Sequence, residues 1–192
     1  LINLKKILGK IKLCLVLKSD AYGFGLNNIL NEIYNLDFVE YIAITENKEA
    51  EIIRKFNKFI KIIRIRPANK MEIMYGYKFN IEELIDSNKK IEILKEINLN
   101  IPVHLSIDMG MNNIGMKLDK INILKLKKLN LKGIMTHFPG IANTNSLEYK
   151  NFIELIKNIK KYFPNLISHV ANNNNLLFHR EKIFFDMVRI GN

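Results

Sequence analysis

The chain has 192 residues, of which 48% are hydrophobic, and 30 basic against 19 acidic residues give it a net charge of +11. This length suits one domain with a large core rather than two ordinary domains, and no apolar run is long enough to cross a bilayer. The lysines are spread over nearly every predicted helix and never form one block beside aromatic residues. We therefore interpret the charge as a solvated surface and expect no nucleic-acid and no membrane partner.

The cysteine and the histidines indicate whether the chain can form a disulfide or bind a metal ion. Cys14 is the only cysteine, so an intrachain disulfide is impossible. We expect a cytoplasmic protein, with a periplasmic location as the alternative if a signal peptide precedes Leu1. No two of the four histidines have metal-ligand spacing with a cysteine or carboxylate partner, which argues against a metal site.

Short apolar runs alternate with amphipathic stretches along the whole chain. In chain order the patterns predict strand 13–17, helix 26–34, strand 39–44, helix 46–59, strand 59–65, helix 69–75, a short strand within 79–85, helix 88–97, strand 102–107, a Lys-rich helix 119–129, strand 131–135, helix 146–163, strand 166–170 and strand 182–188. Asn69 is expected to cap its helix. The chain starts inside a helical pattern and stops abruptly after an apparent strand, so we expect a fragment of a longer protein.

This alternation predicts an α/β fold with a parallel sheet and helical crossovers. Eight repeats favour a closed (β/α)8 TIM-type barrel over an open sheet. Such barrels usually need about 250 residues. We therefore expect short loops, or terminal helices that are missing.

The first predicted strand ends at Lys18, and Gly23 and Gly25 follow. Burial at a strand end would lower the pKa of a lysine and make it a better nucleophile, but a lysine there can equally extend to solvent. Position alone does not decide between the two. Glycines allow the backbone to come close to a ligand.

Polar residues stand at the ends of other predicted strands as well: Arg66, Asp108, His137, Asn172 and Arg189. In a barrel, the carboxyl ends of all strands share one rim, where active sites lie. The coincidence of these residues at one rim indicates a functional site.

Five segments resemble motifs of alanine racemases and related amino-acid racemases. They are KSDAYGFG (18–25), IDMGMNNIG (107–115), GIMTHF (133–138), SHVAN (168–172) and FDMVRIG (185–191). The motifs follow the family's order, and RIRPAN, NIEEL and MTHFP resemble the broad-specificity branch. The resemblance implies a fold-type III pyridoxal-phosphate barrel over residues 1–192, with the family's C-terminal β domain absent from this chain.

The resemblance also implies which residues would hold pyridoxal 5'-phosphate: Lys18, Tyr22, His137, Asn172, Asn173, Arg189, Gly191 and Asn192. Lys18 would form the Schiff base and then act as one of two acid/base groups at the substrate α carbon. Arg189 would face the pyridine nitrogen. Because arginine keeps its proton, that nitrogen would stay unprotonated and the cofactor would be a weaker electron sink, which suits racemisation.

The remaining roles that the resemblance implies concern the phosphate and the ring of the cofactor. Tyr22, Asn172, Asn173 and the backbone around Gly191 and Asn192 would line the phosphate site, and His137 would lie beside the ring. Three of the residues also have a purely structural interpretation: His137 as a hydrogen-bonded strand-end histidine, Arg189 paired with Asp186 or Glu181, and Tyr22 packed over the rim. We interpret His104 and His169 as structural.

The sequence departs from the family pattern at three positions. Asn113 and Ser106 stand where alanine racemases usually carry an arginine and a lysine, and Asn173 replaces a phosphate-binding serine. In the family, the second base is a tyrosine that the C-terminal β domain supplies across a dimer interface. This chain by itself would serve only one face of the α carbon.

We therefore expect the barrel domain of a pyridoxal-phosphate-dependent amino-acid racemase that acts on a small amino acid and is a homodimer in its full-length form. One alternative is a stand-alone cofactor-binding barrel of the pyridoxal-phosphate homeostasis type, without racemase activity. Another is a degenerate, non-catalytic barrel, which Asn113 and Ser106 suggest.

Overall fold

A computed structural model describes residues 1–112, 114–138, 144–171 and 185–191, and its centre is a closed barrel of eight parallel strands. The strands are β1 Lys12–Val16, β2 Val39–Ile44, β3 Lys61–Arg64, β4 Ile81–Ile85, β5 Pro102–Ile107, β6 Asn130–Thr136, β7 Ile167–Ala171 and β8 Met187–Ile190. Each strand pairs with the next one along the chain, and β8 pairs with β1. The predicted (β/α)8 barrel is confirmed.

Helices surround the barrel: α1 Ile2–Leu8, α2 Leu26–Ile33, α3 Asn47–Phe56, α4 Lys70–Gly76, α5 Asn88–Ile97, α6 Ile123–Leu126 and α7 Leu147–Lys160. Side chains cap several of them, as the sequence predicts for Asn69, whose Oδ1 accepts a hydrogen bond from the Glu72 N–H. Within the described part of the chain, no helix combines the length and the apolar character that a membrane span requires.

The strands are apolar runs because both faces of the barrel wall are covered. Along β1, Leu13 and Leu15 pack outward against the helices, whereas Cys14 and Val16 point inward. The inner cluster also contains Tyr41, Ala43, Ile63 and Met187. This two-sided burial holds the strand ends in place, and with them the polar residues at the rim.

The predicted helix 119–129 was wrong. The chain forms a 3-10 turn at Leu118–Lys120 and then only the short helix α6. Asn122 causes the break, since its side chain accepts a hydrogen bond from the Lys125 N–H and so caps a new helix in the middle of the expected one.

The bounds of the last predicted strand, 182–188, were also wrong, because β8 begins at Met187 and contains Arg189. The carboxylate of Asp186, just before the strand, accepts hydrogen bonds at 2.8 Å from both the Ser168 N–H and Lys160 Nζ. Asp186 is thus tied to β7 and α7. The alternative in which it pairs with Arg189 is not the arrangement in this structure.

Candidate active site

A cavity of about 250 Å³ opens where the strands end. Its lining combines polar with apolar side chains: Lys18, Ser106, Asp108, His137 and Arg189 with Ile65, Ile107, Met111, Ile114 and Met135. Two grooves of about 390 and 410 Å³ lie at the opposite end of the barrel, beside the starts of β2 and β6. The smaller cavity is the candidate site, because polar groups converge there and barrel active sites lie at the carboxyl ends of the strands.

Lys18 lies in the wall of this cavity, directly after β1. The preceding residue, Leu17, donates its N–H to the Ala43 carbonyl at 2.9 Å, which extends the strand ladder up to the lysine. Lys18 Nζ lies 5.7 Å from the centroid of the Tyr22 ring. Lys18 is half-buried, so its side chain lines the cavity without being fully removed from solvent.

The segment Lys18–Tyr22 is a left-handed turn, with φ between 54° and 56° at its last four residues. An L-residue in this conformation costs roughly 1–2 kcal/mol, so the segment needs support. The Ser19 N–H donates to Glu49 Oε1 at 2.7 Å, and Asp20 Oδ1 accepts from the Leu26 N–H at 2.7 Å. The turn carries Tyr22 back over the end of β1 toward β8.

Tyr22 lies directly against Gly191, the residue after β8. A Cβ at position 191 would be 2.7 Å from Tyr22 Oη and 2.9 Å from Val16 Cβ, both closer than real Cβ contacts. Only glycine therefore fits there. Burial raises the pKa of Tyr22, so its phenol keeps its proton and can donate a hydrogen bond beside the Gly191 backbone.

Arg189 projects into the barrel from β8 and is only 7% exposed. Its Nη1 donates to His169 Nδ1 and to the His169 carbonyl, both at 2.7 Å, and its Nη2 donates to the Thr136 carbonyl at 3.0 Å. Burial lowers the pKa of Arg189 to about 10, which still leaves the guanidinium charged at neutral pH. These contacts present one charged face of the guanidinium to the cavity.

His137 stands at the rim, one residue after β6. Desolvation lowers its pKa, and the positive charges of Arg189 and Lys18 lower it further. The imidazole is therefore neutral at pH 7 and adds no third positive charge to this side of the cavity.

Ser106 and Asp108 shape the loop that follows β5. Ser106 is buried, and its Oγ donates to the Ile114 carbonyl at 3.2 Å. Asp108 Oδ1 accepts from the N–H groups of Gly110 and Asn112. Ser106 thus holds the loop through a hydrogen bond to its backbone.

The structure brings together Lys18, Tyr22, His137, Arg189 and Gly191 of the predicted site. Asn172, Asn173 and Asn192, together with Asn113 and Glu181, lie outside the described residues. Their assigned roles and contacts stay predictions.

Sequence reasoning interpreted His104 and His169 as structural and did not single out Glu82, so it missed that these three residues lie behind Arg189 in the barrel. His169 contacts Arg189 directly, and His104 and Glu82 continue the contact inward. The signal was present, because a histidine in β5, a histidine in β7 and two glutamates in β4 stand in strands that are otherwise largely apolar. Their spacing in sequence gave no sign that they meet.

Known proteins share both the sequence pattern and the fold. The family model for the alanine racemase N-terminal domain matches residues 1–192. The alanine racemase of Borreliella burgdorferi is 30% identical over 201 residues, which cover 98% of this chain and 54% of that protein. The broad-specificity amino-acid racemase of Vibrio parahaemolyticus is 34% identical over 198 residues, 94% of this chain and 48% of that protein.

Among solved structures, the alanine racemase of Bartonella henselae with covalently bound pyridoxal phosphate superposes with a TM-score of 0.78 at 19% identity, over 99% of this chain and 58% of that one. This likeness establishes the same fold. The chain spans about half the length of the curated relatives that it matches. The family match covers every residue, and the chain therefore belongs to the alanine racemase N-terminal domain family.

Proposed function

We propose that this chain is the cofactor-binding barrel of a pyridoxal-phosphate-dependent amino-acid racemase. The observation that carries the proposal is the convergence of four residues at one end of the barrel. Lys18 and Arg189 line one cavity, and Tyr22, which lies against Gly191, has its ring centroid 5.7 Å from Lys18 Nζ. An amine, a place for a phosphate and a fixed cation are the three groups that a phosphorylated pyridine aldehyde needs.

The residues present fit pyridoxal phosphate. At the phosphate end, Gly191 lies beside the Tyr22 phenol, and a Cβ at that position would fill the space between them. Lys18 is the only primary amine among the described residues of the cavity wall, and it can condense with an aldehyde carbon. Arg189 supplies a charged donor for a ring nitrogen.

When bound, the cofactor supplies an electron sink that makes the α proton of an amino acid removable. In our proposal the Lys18 amine would serve one face of the α carbon, taking the proton there in one direction of the reaction and delivering a proton there in the other. Arg189, with a pKa of about 10, donates a hydrogen bond without giving up its proton. Neutral His137 would lie beside the ring and would keep the total positive charge of the wall low.

Racemisation needs a second acid/base group on the opposite face of the α carbon. We propose that a tyrosine from a C-terminal β domain of a partner copy serves this face, as the family resemblance implies, in a full-length homodimer. Ser106 holds the β5 loop by its hydrogen bond to the Ile114 carbonyl. A cytoplasmic location remains our expectation and is testable by cell fractionation.

Cofactor binding and racemisation are tested separately on the full-length protein. Added pyridoxal phosphate should produce a visible absorbance band that is lost in Lys18→Ala and kept in Lys12→Ala, a lysine of β1 that pairs with Glu40 away from the cavity. Exchange of the α proton is then followed in deuterated water on a panel of D- and L-amino acids. A band without exchange would support the binding-only alternative, and no band in the wild type would reject cofactor binding.

A further inference from the structure

Four polar residues are hydrogen-bonded in a row through the barrel interior, and we call them the interior network: Glu82, His104, His169 and Arg189. Glu82 Oε2 lies 2.5 Å from His104 Nε2, and His104 Nδ1 lies 2.8 Å from His169 Nε2. His169 Nδ1 lies 2.7 Å from Arg189 Nη1. Both imidazoles are fully buried, and the two end residues are 8% and 7% exposed.

The direction of these hydrogen bonds follows from Arg189. A guanidinium has donors only, so His169 Nδ1 must be an acceptor. A neutral imidazole then carries its proton on Nε2, and burial together with the charge of Arg189 keeps His169 neutral by lowering its pKa. His169 therefore donates to His104 Nδ1, and His104 in turn donates from Nε2 to Glu82. All bonds point from the cation at the rim to the carboxylate in the interior.

Gly133 makes room for this arrangement. It lies on β6, between β5 with His104 and β7 with His169. A Cβ at position 133 would be 2.1 Å from His104 Nδ1 and 2.5 Å from its Cε1. The two rings meet edge to face, with their centroids 4.9 Å apart, in the space that the missing side chain leaves.

The two ends of the interior network carry opposite charges. A buried guanidinium without a counter-charge is strongly disfavoured, and hydrogen bonds arranged in one direction in a low-dielectric interior polarise one another. Glu82 can therefore stabilise the charge of Arg189 without touching it. Direct contact would close the cavity face of the guanidinium, whereas contact through two imidazoles leaves that face available.

We propose that Glu82 and His104 are positioning residues of the proposed racemase site. Through His169, they fix the orientation of the Arg189 guanidinium and balance its charge, so that a permanently charged donor faces the ring of the bound cofactor. This proposal rests on the proposed function. It adds Glu82 and His104 to the residues that support the site, and neither of them lines the cavity. Among the described residues, no group of histidine, cysteine and acidic side chains could hold a metal ion.

The first test needs no cofactor. In the protein without pyridoxal phosphate, labelled with 15N in histidine, long-range proton–nitrogen spectra distinguish the two neutral tautomers from the imidazolium. We expect both His104 and His169 to carry a proton only on Nε2, as the directions of the hydrogen bonds require. A proton on Nδ1 of either ring, or a charged ring, would overturn the proposal.

The second test removes the charge and keeps the hydrogen bond. Glu82→Gln still offers an oxygen to His104, but the site becomes more positive by one charge. We expect the pH midpoint of the visible band of the Lys18-bound coenzyme to move down by roughly half a unit or more, the order of effect of one buried unit charge. A protein with a merely structural glutamate would keep its midpoint.

Glu83→Gln is the matched control. Glu83 is the next residue of β4 and is also buried, but it faces the other side of the wall and pairs with Arg64 at 2.8 Å. An unchanged midpoint in Glu82→Gln, or equal shifts in both variants, would overturn the proposal while leaving the proposed function intact. Failure of the wild type to develop a band would reject both.

Discussion

Glu49 and Ser19, 30 residues apart in sequence, are joined by a hydrogen bond of 2.7 Å from the Ser19 N–H to Glu49 Oε1. The other carboxylate oxygen of Glu49 accepts from the N–H groups of Thr45 and Glu46. One buried side chain thus caps α3 and holds the left-handed turn that carries Tyr22. The turn is stable because α3 supplies the acceptor for it.

We expect Glu49→Ala to lower the free energy of unfolding by about 2–4 kcal/mol, because it leaves three backbone donors without their charged acceptor. Urea denaturation of the protein without cofactor measures this. Glu51→Ala, which removes a carboxylate from the same helix, is the control and should change stability by less than about 0.5 kcal/mol. Equal losses in the two variants would mean that Glu49 does not support the turn.

The contact between Tyr22 and Gly191 predicts a specific double-mutant result. Gly191→Ala places a Cβ 2.7 Å from Tyr22 Oη, so we expect a loss of about 1–3 kcal/mol of stability and weaker binding of pyridoxal phosphate. In a Tyr22→Phe background the oxygen is gone, and the same substitution should cost measurably less stability. Additive losses of stability in the double mutant would show that the new Cβ at position 191 does not contact the Tyr22 hydroxyl.

A third prediction concerns Gly133. Its replacement by alanine forces a Cβ to within 2.1 Å of His104 Nδ1, so the ring must move and the hydrogen bond to His169 must break. We expect a loss of about 1–3 kcal/mol in urea denaturation and new 15N shifts for both histidines. Unchanged histidine shifts in a folded Gly133→Ala protein would contradict the placement of these rings.

Much of the barrel could be predicted from the sequence, because strands that are buried on both faces are continuous apolar runs. Pro102–Ile107 was predicted with its bounds as they are in the structure. Lys18 and His137 were singled out because several polar residues coincide at strand ends and because both lie in segments that resemble the family's motifs. Helix 119–129 failed because a capping residue, Asn122, lies inside a stretch with helical periodicity.

The supporting contacts could not be predicted in the same way. The bond between Glu82 and His104 spans 22 residues, and that between His104 and His169 spans 65. Which residues of adjacent strands face each other depends on strand register, and shifts such as the one between Val103 and His104 are not visible in hydrophobicity. The left-handed turn likewise could not be predicted, because residues 19–22 contain no glycine.

The buried His169 makes stability depend on pH with a sign that can be worked out. Its pKa in the folded protein lies well below 6.5 because of burial and the charges around it, whereas the unfolded chain has the ordinary value. Below about pH 6.5, His169 therefore becomes protonated in the unfolded state but stays neutral in the folded state. The free energy of unfolding falls as pH falls, by up to about 1.4 kcal/mol per pH unit. His169→Asn removes this group and keeps an acceptor oxygen for Arg189. We expect urea midpoints measured from pH 5 to 7 to fall less steeply in His169→Asn than in the wild type, and equal slopes would mean that His169 is protonated inside the barrel.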